Sequence, residues 1–508
     1  MNNRLLKLGM YFIWGILLAA TIVMSVDSLL RSTYFTTGQE IEIPSYTWDN
    51  PLMIVIGGIA WIGAIYLLVY KTNFFRKNTL TRLLLCIAVV QMFLVLLLRA
   101  YPACDGSALS EIAASFMEGN YSALSKPNYL SIYPFQLGMT GFIQFVYTIF
   151  GQNNYMVLQF INILASMGIA YALYQITWLI FNDGTVLQYF CVLLIAMLPL
   201  HLYTTFIYGN LLGLCFSLLA ILFEIRFMRE GKWRYTFLAG AAIGIGILFK
   251  SNSRIFLIAI EIVLLMFAVC KKNAKVLLAG LIILILSRIP VYAVEGYYLR
   301  QSGVDRISEG VPGAAWIAMG LQEDDLFENG WYNGYNLNTY KECEYDSGRA
   351  AEQSLNSIGE SVKTFVKHPL YAVRFFYKKW TSQWNDPTYQ SLFSVEWACR
   401  HNENQSALAR SLYSGCVAGG LYHFMNIYQT IYFIGTLFFL LKGRSRLGLE
   451  QFILLLSVFG GMLCHLLWEA KGRYVFSYYV VLLPFSAYGM NELMKGVKYL
   501  WAKSKGEP

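Results

Sequence analysis

The sequence predicts an all-α polytopic membrane protein: a bundle of about 12 transmembrane helices, with juxtamembrane helices and one large segment on its outer side. Three observations carry this. Hydrophobic residues make up 57% of the 508 and charged residues only 14%, against about 45–50% and about 25% in soluble domains. Apolar runs near the roughly 20 residues that a span requires recur along the chain. Short Lys/Arg clusters separate many of these runs, as cytoplasmic loops of membrane proteins do. The formal charge of +9 is distributed among those clusters. It therefore reports topology, and no nucleic-acid partner is expected. Aromatics at 16% suit interfacial belts and a groove for an isoprenoid or sugar.

The first run, Leu8 to Leu30, is longer than a signal-peptide core of about 7–15 residues and reads as a retained span. Further candidates are 51–70, 83–99, 133–150, 156–180, 186–204, 209–227, 236–250, 254–270 and 276–294, then 421–441, 450–467 and 474–494. Basic clusters at Arg4/Lys7, Lys71/Arg76/Lys77/Arg82 and Arg226/Arg229/Lys232/Arg234 mark the inner side. So do Lys271/Lys272/Lys275, Lys442/Arg444/Arg446 and Lys495/Lys498/Lys503/Lys505. If every candidate crossed, the cluster at 226–234 would fall on the wrong side. One run among 133–150, 156–180 and 186–204 must not cross. Segment 133–150 opens with Tyr-Pro and carries Gln136, Gln144 and two glycines, which fits a helix lying in the outer interface. Twelve crossings remain, and both termini fall inside.

This divides the chain into an amino-terminal helix pair (1–82), a transmembrane module (83–294) with its first outer loop at 100–155, an outer segment (295–420), and a carboxy-terminal part with three spans and a basic tail (421–508). Within the outer segment, 355–385 alternates basic and aromatic residues at helical spacing, broken at Pro369, and is expected on the outer membrane surface. The nine cysteines show no CxxC or Cys/His ligand spacing, so no metal site or disulfide framework is expected, and a single bridge among the outer Cys104, Cys343, Cys399 and Cys416 stays open.

Candidate chemistry gathers at the outer turns. In RAYPACDGSALSEIAASF, Asp105 follows a span directly. It reads either as a helix cap or as a general base, whose task requires hydrogen-bond reach to a substrate proton. Glu111 and Glu118 are further carboxylates on the helix expected at 107–118. Cations able to hold a phosphate are Arg99, Lys126, Lys250, Arg254, Arg288, Lys471 and Arg473. Lys250 and Arg254 flank the tight turn LFKSNSRI. Arg288 lies inside an apolar run, where a charge normally faces a cavity or partner. For each of the other cations, Lys250 and Arg254 included, a snorkelling side chain at the membrane edge is the more ordinary reading. In HLLWEAKGRY, Glu469 and Arg473 either tie the turn as an ion pair or face the cavity of Asp105. Tyr133 opens the interfacial helix of the first loop, and His201 and Tyr208, at another outer turn, read first as wall residues and second as lining of the same cavity.

Together these pieces resemble the GT-C superfamily of membrane glycosyltransferases. They are most similar to the bacterial branch related to dolichyl-phosphate-mannose protein mannosyltransferases and aminoarabinose transferases. The resemblance rests on Asp105 soon after a span, the Tyr-Pro-opened helix at 133–150, the span pair around GIGILFKSNSRIFLIA, and the late WEAKGRY turn. It implies a GT-C-like bundle in which spans 9–30 and 51–70 are an added pair. It also implies juxtamembrane helices in the first outer loop, an outer-loop Asp as catalytic base, and a polyprenyl-phosphate sugar as donor substrate. The related protein mannosyltransferases carry an Asp-Glu pair where this chain has Asp105-Gly106. The second carboxylate is then missing or supplied by Glu111, and a protein acceptor is not implied.

The expected function is inverting glycosyl transfer at the outer face of a bacterial plasma membrane. Asp105 is the expected base. Arg99, Glu111, Tyr133, Lys250, Arg254, Arg288, Glu469 and Arg473 are the expected substrate-binding residues. The acceptor is expected to be an envelope glycan, glycolipid or protein. No cofactor is identified beyond the lipid-linked donor. The alternative from another class is a transporter or flippase of lipid-linked sugars, which requires deep charges and access from both sides. The absence of an internal repeat argues against it.

Overall fold

The computed structural model describes residues 4–36, 41–72, 74–75, 78–400 and 402–505; Arg76 and Lys77 of the second basic cluster lie outside these. The chain begins with α1 (Arg4–Leu30), a hairpin of β1 (Arg31–Phe35) and β2 (Pro44–Trp48), α2 (Pro51–Tyr66, continued to Lys71 as a π-turn) and α3 (Thr79–Leu98). The first loop holds α4 (Asp105–Met117), α5 (Tyr129–Ile132) and α6 (Leu137–Phe150). The helices α7 (Tyr155–Phe181), α8 (Gly184–Ala196), α9 (Leu198–Leu202), α10 (Asn210–Glu230), α11 (Trp233–Phe249), α12 (Ser253–Lys271) and α13 (Lys275–Ser302) follow. Residues after α13 form α14 (Gly313–Gly320), α15 (Tyr335–Glu342), α16 (Ser347–Lys367), α17 (Pro369–Trp384), α18 (Ser391–Cys399) and α19 (Ala407–Ser411). Helices α20 (Gly415–Lys442), α21 (Leu449–Leu467), α22 (Gly472–Val481) and α23 (Leu483–Ser504) complete the chain.

This is an all-α polytopic membrane protein. Among the described residues nine helices are long and apolar enough to cross a membrane, or ten if the α8–α9 pair, bent by 55°, is one span. The expected twelve continuous spans are therefore not all present as such. Helix α11 has 17 residues. The run 474–494 is divided at Leu482 into α22 and α23. Pro484 has no N–H to donate to the Val480 carbonyl, which favours a break at this point. At this break the Tyr479 carbonyl accepts from both the Leu482 N–H and the Tyr432 hydroxyl.

Segment 133–150 forms a 3-10 turn and the 14-residue α6. At 1.5 Å per residue it rises about 21 Å, short of a hydrocarbon core of about 30 Å. The basic clusters also agree in three dimensions. Met228 shares a cavity with Lys7, Lys271 and Arg444, and Arg229 pairs with Glu450. These clusters thus gather at one end of the bundle.

Close packing relies on small residues. A Cβ on Gly489 of α23 would meet the Gly435 carbonyl of α20 at 1.7 Å, so the two backbones touch, as small residues allow at helix crossings. Helix α1 packs on α20, where Trp14 Nε1 donates to the Leu440 carbonyl at 3.1 Å. The break expected at Pro369 separates α16 from α17. The hairpin is tied to the segment after α17 by Thr33 N–H donating to the Asn385 carbonyl at 2.9 Å.

Candidate functional site

At the end of the bundle opposite the basic clusters lies a cavity of about 1150 Å³. Its wall combines Asp105, Tyr133, Lys250, Arg254, Glu469 and Arg473, which are far apart in the chain. An apolar flank is formed by Ile247, Leu248, Val291, Val294 and Leu299.

Asp105 opens α4 after a short link from α3. The link is bounded by Arg99 at φ 43° and Cys104 at φ 54°, left-handed conformations that cost energy in non-glycine residues. Burial pushes the Cys104 thiol up to about 12, so it stays protonated. The helix-cap alternative for Asp105 is not what is observed. Cys104 is the N-cap residue, and the partner of the Asp105 carboxylate is the Tyr129 hydroxyl, which donates to Oδ1 at 3.2 Å. Burial, with Asp105 second, raises Tyr129 above the usual tyrosine range, so this hydroxyl remains a donor. Gly106 explains why no second carboxylate follows Asp105: a Cβ there would meet the Ile207 carbonyl oxygen at 2.6 Å. A glutamate cannot occupy that position without moving α4.

Lys250 ends α11. Its ammonium lies 4.3 Å from the centre of the Tyr208 ring and 5.2 Å from that of Tyr474. Among the described residues no carboxylate is in ion-pair contact with it. Burial, aided by Arg473, pulls Lys250 down to about 7, against the opposing pull of Asp105 and Glu469. Gln136 donates to the Tyr208 hydroxyl, which fixes the ring beneath the cation. Arg254, one turn on, has Arg288 and Glu295 as electrostatic neighbours.

The WEAKGRY turn supplies the third side. Lys471 Nζ lies 2.8 Å from Glu42 Oε2 and 3.4 Å from Glu469 Oε1, while Arg473 Nη1 lies 2.7 Å from Glu42 Oε1. Burial alone would raise the Glu42 carboxyl, but Arg473 and Lys471 overcome it and hold Glu42 at about 2. Burial raises Glu469 above the usual carboxylate range despite Lys471 and Arg473. The expected Glu469–Arg473 tie is replaced by the Glu42 bridge, and both residues line the cavity of Asp105. Lys379 holds the turn from behind by donating to the Gly320 and Trp468 carbonyls, and burial pulls it down to about 7. Trp468 stacks on Trp316, centroids 6.0 Å apart and planes 7° apart, at the cavity wall.

Three expected binding residues are not in the wall. Arg99 is exposed at the end of α3, and its carbonyl accepts from Asn402. Glu111 is exposed on α4, because that helix turns its Ala113 and Phe116 face inward. Arg288 is exposed on α13, whose buried neighbour Ser287 takes the inward position. Among the other candidates, Lys126 donates instead to the Tyr345 carbonyl. His201 bridges Gln91 and the Ile195 carbonyl away from the cavity. Sequence reasoning missed Glu42, Tyr129, Trp316, His465 and Trp468, which line it. For Trp468 and His465 the signal was available in their adjacency to Glu469. Among the described residues no group of three or more His, Cys, Asp or Glu side chains is arranged to hold a metal ion.

The family model of dolichyl-phosphate-mannose-protein mannosyltransferase matches residues 138–292, from the start of α6 to α13. The match supports membership of the GT-C superfamily and a membrane glycosyltransferase activity. No curated protein and no solved structure matches the chain.

Proposed function

We propose that this GT-C-type enzyme transfers a sugar, with inversion, from a polyprenyl-phosphate donor to an acceptor hydroxyl of an envelope glycan, glycolipid or protein. The reaction takes place at the outer face of a bacterial plasma membrane. The observation that carries this reading is the pairing, in one cavity, of a carboxylate tethered by Tyr129 with Lys250, a cation that has no carboxylate in ion-pair contact among the described residues.

Asp105 accepts the proton of the acceptor hydroxyl as its oxygen bonds to the anomeric carbon. The bond from that carbon to the donor phosphate oxygen breaks, and its electron pair leaves with the phosphate. Lys250, with Arg254, stabilises that departing charge, a role cations perform best where water is excluded. The apolar flank along α11 and α13 suits the polyprenyl chain, and the stacked Trp316–Trp468 pair offers a face to a sugar ring. Holding both substrates at one interface supplies orientation, worth up to about 7–11 kcal/mol in favourable cases.

Asp105→Asn tests the assignment, since it preserves size but cannot take up the acceptor proton at neutral pH. Turnover is expected to fall about 10²–10⁴-fold while donor binding persists. Normal glycosyl transfer by this variant would overturn the mechanism. The flippase alternative requires one path open to both sides. The cavity described above and the one around Lys7 and Arg444 at the other end share no lining residue.

A further inference from the structure

The ion cluster beside Lys250 bears on which phosphate the site accepts. Both oxygens of Glu42 are engaged, one by Lys471 at 2.8 Å and the other by Arg473 at 2.7 Å. All three side chains are close to fully buried, and Glu469 Oε1 lies 3.4 Å from Lys471 Nζ, so two carboxylates face two cations in a cluster largely out of contact with solvent. Lys250 is left against two aromatic rings with no carboxylate in ion-pair contact among the described residues. We propose that Glu42 is a charge-selecting residue for the donor. By occupying Lys471 and Arg473 it leaves Lys250 to receive a singly charged phosphodiester, and it turns away a sugar linked through diphosphate.

Charge count supplies the physical reason. A sugar joined to a lipid through one phosphate carries one negative charge, and the same sugar joined through two phosphates carries two. The second phosphate needs a second cation, but Lys471 and Arg473 face two carboxylates, Glu42 and Glu469, and Arg254 has Glu295 as its opposite-charge neighbour. It would also stand among Glu42, Asp105 and Glu469, and like charges brought together at a desolvated site strongly suppress the wrong ligand. The selection works by repulsion of the competitor, which specific sites commonly require. It rests on the phosphate position at Lys250 proposed above.

The test uses the full chain in detergent, titrated with two probes of equal lipid length: methyl farnesyl phosphate, with one charge, and methyl farnesyl diphosphate, with two. Wild type is expected to prefer the first. Glu42→Gln releases Lys471 and Arg473 and should shift the preference toward the diphosphate by about tenfold or more, whereas Glu42→Asp keeps the charge and should keep most of the preference. Lys471→Met, which retains the Glu42–Arg473 pair, should move the preference the opposite way, and it decides the question if Glu42→Gln does not fold. A merely structural role for Glu42 would weaken both probes together and leave their ratio unchanged, which would overturn the proposal. Lys250→Ala separates the two layers. If it weakens the monophosphate probe while Glu42→Gln leaves the ratio fixed, the Glu42 proposal alone fails. If Lys250→Ala changes nothing, the phosphate position fails and the Glu42 proposal falls with it.

Discussion

Lys250 makes donor binding depend on pH in a way that can be worked out beforehand. Its ordinary value is 10.5, and burial with Arg473 brings it to about 7. Below about pH 7 the side chain is charged in the free protein, and above it the side chain is largely neutral. A bound phosphodiester favours the ammonium, so binding between about pH 7 and 10.5 must take up a proton from solution. Methyl farnesyl phosphate keeps its single charge throughout, which assigns any pH effect to the protein. Its affinity should fall about tenfold between pH 6 and pH 8, one factor of ten per pH unit once the pKa is passed. Lys250→Ala should lose roughly 1.5–3 kcal/mol of binding at pH 6, the scale of a hydrogen bond to a charged group, and should show a flat profile. Lys250→Arg remains charged at every working pH and should also be flat, but with much of the affinity retained. Lys379 is likewise pulled down to about 7, but it faces backbone carbonyls behind the WEAKGRY turn. Isothermal titration at fixed ionic strength reads these profiles. A wild-type slope that survives in Lys250→Arg would refute the reasoning and point to Lys379.

Two further predictions concern the frame around the site. Gly106→Ala places a Cβ 2.6 Å from the Ile207 carbonyl oxygen; the forced backbone shift should cost about 1–3 kcal/mol, seen as a lower unfolding midpoint in detergent and a loss of transfer activity. An unchanged midpoint would mean that α4 has more room than its packing indicates. A cysteine at Asn153, in the turn after α6, should react with an impermeant thiol reagent applied from outside intact cells, on a background with the exposed Cys416 replaced. Labelling only after permeabilisation would sink the arrangement in which α6 does not cross.

Much of this architecture follows from one-dimensional physics. A span is a run of apolar residues long enough for hydrocarbon, and inner loops collect positive charge, so parity alone required one run among 133–150, 156–180 and 186–204 not to cross; the form of 133–150 singled it out, and α6 is short. Asp105, Lys250 and Glu469 were legible for a related reason: each is a charge at the edge of an apolar run, where desolvation makes an idle charge expensive. The same reasoning misjudged Arg288, because an apolar run does not reveal which of its faces meets the bundle. Glu42 had no local signature at all, being one carboxylate in a polar connection between two spans. Its role arises because the hairpin folds back over the bundle and brings it to Lys471 and Arg473, more than 400 residues further along the chain. Likewise the glycine after Asp105 looked like a missing carboxylate until the Ile207 backbone was found against it. Hydropathy and charge act along the chain and determine which segments cross and which turns carry charge. Which charges neutralise one another, and which is left for a ligand, depends on distances across the folded bundle, and only the tertiary structure decided that.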